Sequence, residues 1–187
     1  MSVSKKNKFL VIAFCLFLSS DILLFQYEIP IVEKINFILI ILAYSALMLH
    51  IQPFIKNLKA NGYQKMIFFG VLAINLVMLY LLIQMVQAKL DDFWHTVLFY
   101  LYGMCMILLV ILSFSYSNRY SNRASFYFLC AVLGLVFSDI TSFIAYYLEI
   151  GEFYYPDRLF YLLGLISLVK FAGLDKNEGM LLSGEFL

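Results

Sequence analysis

Two aspartates stand inside long apolar runs: Asp21 in Leu18-Ser19-Ser20-Asp21-Ile22-Leu23 and Asp139 in Val136-Phe137-Ser138-Asp139-Ile140-Thr141. Both occur as Ser-Asp-Ile. A charge near the centre of a bilayer costs about 2.5–3.5 kcal/mol on insertion scales, so an acid kept there is functional by default or is paired inside the bundle. Neither has a cationic neighbour one turn away in its own run. Two carboxyls sharing an apolar cavity repel one another and are desolvated, which favours a single proton between them; one then serves as an acid and the other as a base. The plainer role is polar glue, a protonated Asp bonded to a neighbouring helix, worth about 0.6 kcal/mol on average.

The composition says what must carry these groups. Of 187 residues, about 61% are apolar when tyrosine is left out and glycine counted, against about 45–50% in soluble domains. The 13 Lys and Arg and 12 Asp and Glu cluster between apolar runs of about 20 residues, the pattern of repeated membrane crossing. That excludes a soluble domain, a disordered tail and a nucleic-acid binder, since a net charge of +1 supplies no basic face. The fold expected is an all-α polytopic membrane helix bundle, a single integral domain over 1–187 with about six crossings. At 1.5 Å per residue the spans fall at roughly 9–27, 31–51, 66–87, 93–115, 125–148 and 156–173. Pro30 and Pro156 suit first helical turns, and Pro53 lies just past the second span. Lys5-Lys6-Asn7-Lys8 followed by Phe9–Leu18 resembles a signal peptide, but no small-x-small site follows, so an uncleaved first helix is expected.

Cations set the orientation, because they are retained on the cytoplasmic side. Lys5, Lys6, Lys8, Lys56, Lys59, Lys65, Arg119, Arg123, Lys170 and Lys176 fall on one side, and only Lys34, Lys89 and Arg158 on the other. Both termini are therefore expected in the cytoplasm, in a bacterial inner or plasma membrane. Phe93 and Trp94, the pairs Tyr146–Tyr147 and Tyr154–Tyr155, and Tyr116 and Tyr120 mark the interfaces. Asp157 and Arg158 open the sixth span at the outer face, where the arginine either grips a lipid phosphate or anchors the helix. The repeat Ser117-Asn118-Arg119-Tyr120-Ser121-Asn122-Arg123 is expected as a solvated inner loop.

The first and fifth spans both run outward, and each Asp falls about three residues past its span's middle, roughly 4–5 Å to the outer side. The two acids thus share a depth. Asn36, Tyr44, Ser45, Asn75, Gln84, Tyr100, Tyr102, Thr141, Ser142 and Tyr161 are further polar groups that could line the same space. His50 and His95 lie near opposite membrane edges as interfacial histidines, too far apart for a shared metal site. Cys15, Cys105 and Cys130 have no metal-ligand spacing and are expected as core filler. No metal and no cofactor is expected.

These residues resemble the lysoplasmalogenase family of multi-pass membrane proteins, the YhhN type. Phe137-Ser138-Asp139-Ile140-Thr141 is similar to that family's Ser-Asp motif in the penultimate helix, and Ser20-Asp21-Ile22-Leu23-Leu24 resembles its Gly-Asp-x-x-Leu helix. Tyr44 and Tyr161 fall where the next and the last family helices carry tyrosines. The likeness covers about 150 residues in order and spacing. Ser20 replaces a glycine, Ala145 stands for an asparagine and Leu165 for a glutamine; no histidine precedes Tyr44 at the expected turn, and one or two leading helices are absent. The resemblance implies hydrolysis of the vinyl-ether bond of lysoplasmalogens, with Asp21 and Asp139 as catalytic residues. Ser20, Tyr44, Ser138 and Tyr161 would contact substrate. Membrane lysolipids are then the partners, with oligomeric state left open. Paired intramembrane acids also suit a small proton-coupled transporter, or a non-catalytic scaffold or partner subunit.

Overall fold

The computed structural model of the chain describes residues 3–26, 29–55, 69–70, 72–73, 76–77, 79–84 and 93–183. Among them there is no strand, and nearly all are helical. The elements are α1 (Val3–Leu23), α2 (Pro30–Ile55), α3 (described within 69–84), α4 (Phe93–Tyr120), α5 (Arg123–Tyr147) and α6 (Tyr154–Ser183). A 3-10 turn, Leu24–Gln26, follows α1, and another, Gly151–Phe153, precedes α6. The all-α expectation holds. Asn75 and the loop cations Lys56, Lys59, Lys65 and Lys89 lie outside the described residues.

Among the described residues, three helices, α2, α4 and α5, are long and apolar enough to cross a membrane. Large apolar side chains such as Leu18, Ile38, Leu101, Phe137 and Ile166 stand on the outside of the fold, where water would penalise them and hydrocarbon does not. The protein is therefore membrane-embedded. α1 ends at Leu23, where the chain tightens into the 3-10 turn Leu24–Gln26. α2 passes through Pro53 to Ile55, whereas a stop before that proline was expected. So close to the C-terminal end, Pro53 forgoes a single bond to the turn before it, a small loss beside that of a mid-helix proline.

The tandem repeat is also not a loop. Its first half completes α4, Ser121 takes a left-handed φ of 45°, and Asn122 caps α5. The Asn122 side chain accepts from the Ser125 N–H at 2.8 Å, and the Asn122 N–H donates to Ser125 Oγ at 3.2 Å. This reciprocal pair satisfies two backbone donors that a helix start leaves open, so two residues suffice to turn the chain.

The chain divides into two compact units, Lys8–Ile111 and the remainder, chiefly from Leu112 onward. In the first, α1 buries Leu10, Ala13, Phe17 and Ser20, a 3-4-3 spacing that makes one helical face. Phe17 meets Tyr44 of α2 edge-on at 6.0 Å, and Tyr44 stacks on Tyr102 of α4 at 6.2 Å. Phe37 sits among His95, Phe99 and Tyr102. Leu79 of α3 lies over Gly103 of α4.

In the second unit, α5 and α6 pack backbone to backbone. A Cβ on Gly134 would stand 2.8 Å from Gly164 Cα and 3.0 Å from the Phe160 carbonyl oxygen. Toward the other end Phe128 meets Phe171 at 4.9 Å, with Tyr116 edge-on to both. Tyr147, expected as an interfacial anchor, is buried against Phe143 and Tyr146. Cys15, expected as core filler, faces outward.

Glycine at 134 is thus a steric requirement. Gly134→Ala should lower stability by about 1–3 kcal/mol, since only backbone can give way. Gly173→Ala, with nothing within 4 Å of the added carbon, should cost nothing. Thermal unfolding of the two variants in detergent checks the contrast.

Candidate functional site

Each Ser-Asp-Ile segment is built the same way. Ser20 and Ser138 are both 5% exposed, and each donates its hydroxyl to the helix that follows in the hairpin. Ser20 bonds Asn36 Oδ1 of α2 at 2.5 Å, and Ser138 bonds Asp157 Oδ1 of α6 at 2.5 Å. The isoleucines, Ile22 and Ile140, face outward. Between the enclosed serine and the exposed isoleucine, Asp21 and Asp139 are both half-buried. At about 100° per residue, three consecutive positions point inward, sideways and outward, so the order Ser, Asp, Ile sets each acid at the edge of its packed face.

The acceptors differ. Asn36 is a neutral amide followed by the buried Phe37, whereas Asp157 is a carboxylate followed by Arg158, whose Nε lies 3.8 Å from Asp157 Oδ2. Thr141, one turn beyond Ser138, is held to its own helix by bonds to the Phe137 and Ser138 carbonyl oxygens at 2.8 and 2.9 Å.

Asp157 corrects the sequence expectation. Its first-turn position suggested the outer membrane edge, yet its side chain is bonded to Ser138, deep in α5. Ser138 lies nine residues before the end of α5 and Asp157 three residues into α6. The Gly134–Gly164 contact sets the antiparallel register and places Asp157 about one turn nearer the C-terminal end of α5 than Ser138, close enough for the two side chains to bond. A third acid therefore lies within reach of the second Ser-Asp motif. Its signal was available in part: Asp157, Tyr161, Gly164 and Leu168 share one helical face, and Gly164 is the residue that meets α5.

A further polar pair lies in the first unit. His95 Nε2 is 3.3 Å from Glu33 Oε1, with side-chain exposures of 0% and 7%. Expected as an interfacial histidine, His95 is enclosed, its ring against Phe37 at 5.6 Å. His50 is equally enclosed because it continues the buried face of Ala43 and Leu47 on α2.

Of the other expected contact residues, Tyr44 is a core ring at 1% exposure between Phe17 and Tyr102. Tyr161 is half-buried on α6, one turn after Asp157. Asp21 belongs to the first unit and Asp139 to the second. Among the described residues, no three His, Cys, Asp or Glu side chains converge as metal ligands.

No protein-family model, curated protein or solved structure matches the chain. The chemistry of these segments is therefore argued from their own construction.

A buried pair leaves either partner stranded when the other is removed. Glu33→Leu and His95→Leu should each lower stability by about 1–3 kcal/mol, and the double variant by less than their sum. A double-mutant cycle by thermal unfolding measures this, with additive losses indicating no coupling.

Proposed function

We propose that the chain is a membrane-embedded hydrolase of lysoplasmalogen-like lysolipids, with Asp21 and Asp139 as its acid and base. The observation that carries this is the duplicated Ser-Asp-Ile arrangement: an acid set twice at the edge of a packed helix face, beside a serine locked to the next helix. Locking the serine restrains the adjoining backbone, which is what a group that must hold and pass a proton requires. Both termini face the cytoplasm in this proposal, following the ten-to-three division of cations, and the membrane is a bacterial inner or plasma membrane.

Vinyl-ether hydrolysis suits carboxyls. The protonated acid delivers its proton to the alkene carbon remote from the ether oxygen, which carries the alkyl chain, converting the C=C–O unit to an oxocarbenium ion. Water adds to the cationic carbon and loses a proton to the ionised acid, which until then has stabilised the positive charge. The hemiacetal so formed expels the glycerol oxygen as an alcohol and leaves a fatty aldehyde. One water is consumed, one proton is taken up and one is returned. Neither a serine nucleophile nor a change of oxidation state enters.

A second reading, a proton-coupled carrier, draws support from the enclosed Glu33–His95 pair, a titratable couple that the hydrolysis does not use. It predicts transport in proteoliposomes without aldehyde.

Incubating the purified protein with a lysoplasmalogen and measuring aldehyde separates the two. Asp21→Asn and Asp139→Asn should each lower the rate by about 10²–10⁴-fold while the helical content stays intact. The double variant should be scarcely worse than either single one, because the groups act as a unit. Full activity in either single variant would remove that residue from the mechanism.

A further inference from the structure

Arg158 is a cation that the proposed chemistry leaves without a task. Arg158 lies beside the buried Asp157, whose side chain accepts from Ser138 of α5, and a guanidinium set against apolar helices is costly unless an anion meets it. Its side chain is 55% exposed, and its contact with Asp157 uses Nε. An exposed guanidinium offers paired N–H donors in the fork that suits a phosphate. The α1–α2 hairpin has no counterpart: the residue after Asn36 is the buried ring of Phe37. The departure from the repeat is therefore confined to one hairpin and consists of one carboxylate and one guanidinium.

Distance ties the cation to the proposed reaction. The Ser138–Asp157 and Asp157–Arg158 contacts, with the width of one carboxylate, put the guanidinium Nε within about 9 Å of the Ser138 hydroxyl. Asp139 is the next residue. In a lysolipid, a three-carbon glycerol separates the sn-1 ether oxygen from the phosphate, a span that fits inside that reach. We propose that Arg158, steered by the buried Asp157, binds the phosphate of the lysolipid and positions the ether bond at the Ser138-Asp139 end of the hairpin. Arg158 is a binding and positioning residue, and Asp157 holds it in place while remaining bonded to Ser138. The assignment rests on the proposed hydrolysis for its substrate, and on the hairpin alone for its anion site.

The test compares a 1-alkenyl lysophospholipid with the phosphate-free 1-alkenylglycerol. In Arg158→Gln the ratio of kcat/KM for the first over the second should fall by roughly 10- to 100-fold, the worth of a charge-assisted hydrogen bond. Arg158→Lys should recover part of the ratio, since it keeps the charge and loses the fork. An equal loss on both substrates would make Arg158 structural, and an unchanged ratio would remove it from phosphate binding; either overturns the proposal. If the wild-type protein releases no aldehyde from either compound, the hydrolase reading fails by itself. The anion site is then read from thermal stabilisation by a saturated 1-alkyl lysophospholipid against 1-alkylglycerol. An Arg158-dependent preference for the phosphorylated ligand supports the site, and equal stabilisation overturns it. Inorganic phosphate at millimolar concentration serves as competitor: no competition supports a lipid headgroup, and full displacement overturns that source in favour of a free anion.

Discussion

Hydrocarbon offers a polar side chain no water, so a polar group enclosed in this protein is costly unless another part of the protein meets it. That constraint explains where the described helices are fastened. Ser20 is answered by Asn36, Ser138 by Asp157, and Glu33 by His95. Each of these contacts joins two different helices, and each lies on a face that is otherwise aromatic or aliphatic. Apolar surface alone could not do this, because lipid tails attract a leucine face as well as another helix does. Polar pairs and close backbone contact are what distinguish one arrangement from another.

The two hairpins meet this constraint by different means. α5 and α6 come together through Gly134 and Gly164, where absent side chains let the backbones touch and dispersion act at short range. In the first unit the fastening is aromatic, with Phe17, Phe37, Tyr44, Phe99 and Tyr102 edge-on or stacked. Close approach in the second hairpin is also what allows a first-turn residue of α6 to reach a serine deep in α5. The short connection, which includes the 3-10 turn Gly151–Phe153, keeps the start of α6 beside α5, where Asp157 meets Ser138.

Some of this was legible in the residues. Run length and charge spacing define helices of membrane-crossing size, because the hydrocarbon thickness imposes a length that composition must match. Ser20-Asp21-Ile22 and Ser138-Asp139-Ile140 stand out for a related reason, an acid being conspicuous wherever it is expensive. Asp157 did not stand out, since a carboxylate near a proline and a loop is ordinary at a membrane edge. The enclosure of the two histidines was hidden for a related reason. Position along a span gives depth, whereas enclosure depends on which way a helix is turned, and that is set by neighbours such as Phe37. The tandem Ser-Asn-Arg segment misled in the opposite sense: its polarity suggested a loop, but one left-handed residue and one asparagine cap were enough to turn the chain.

By itself, then, the order of residues determined that the chain is helical, membrane-embedded and furnished with two acids of matching context, since those follow from local transfer energies and the period of the helix. Only the tertiary structure decided which groups are partners. It paired each serine with its acceptor, enclosed Glu33 with His95, and brought Asp157, with Arg158 beside it, to the serine of the second Ser-Asp motif. Such pairings depend on how far one helix slides and turns against another. A missing methyl at Gly134 settles that, and no propensity or hydropathy along the chain records it.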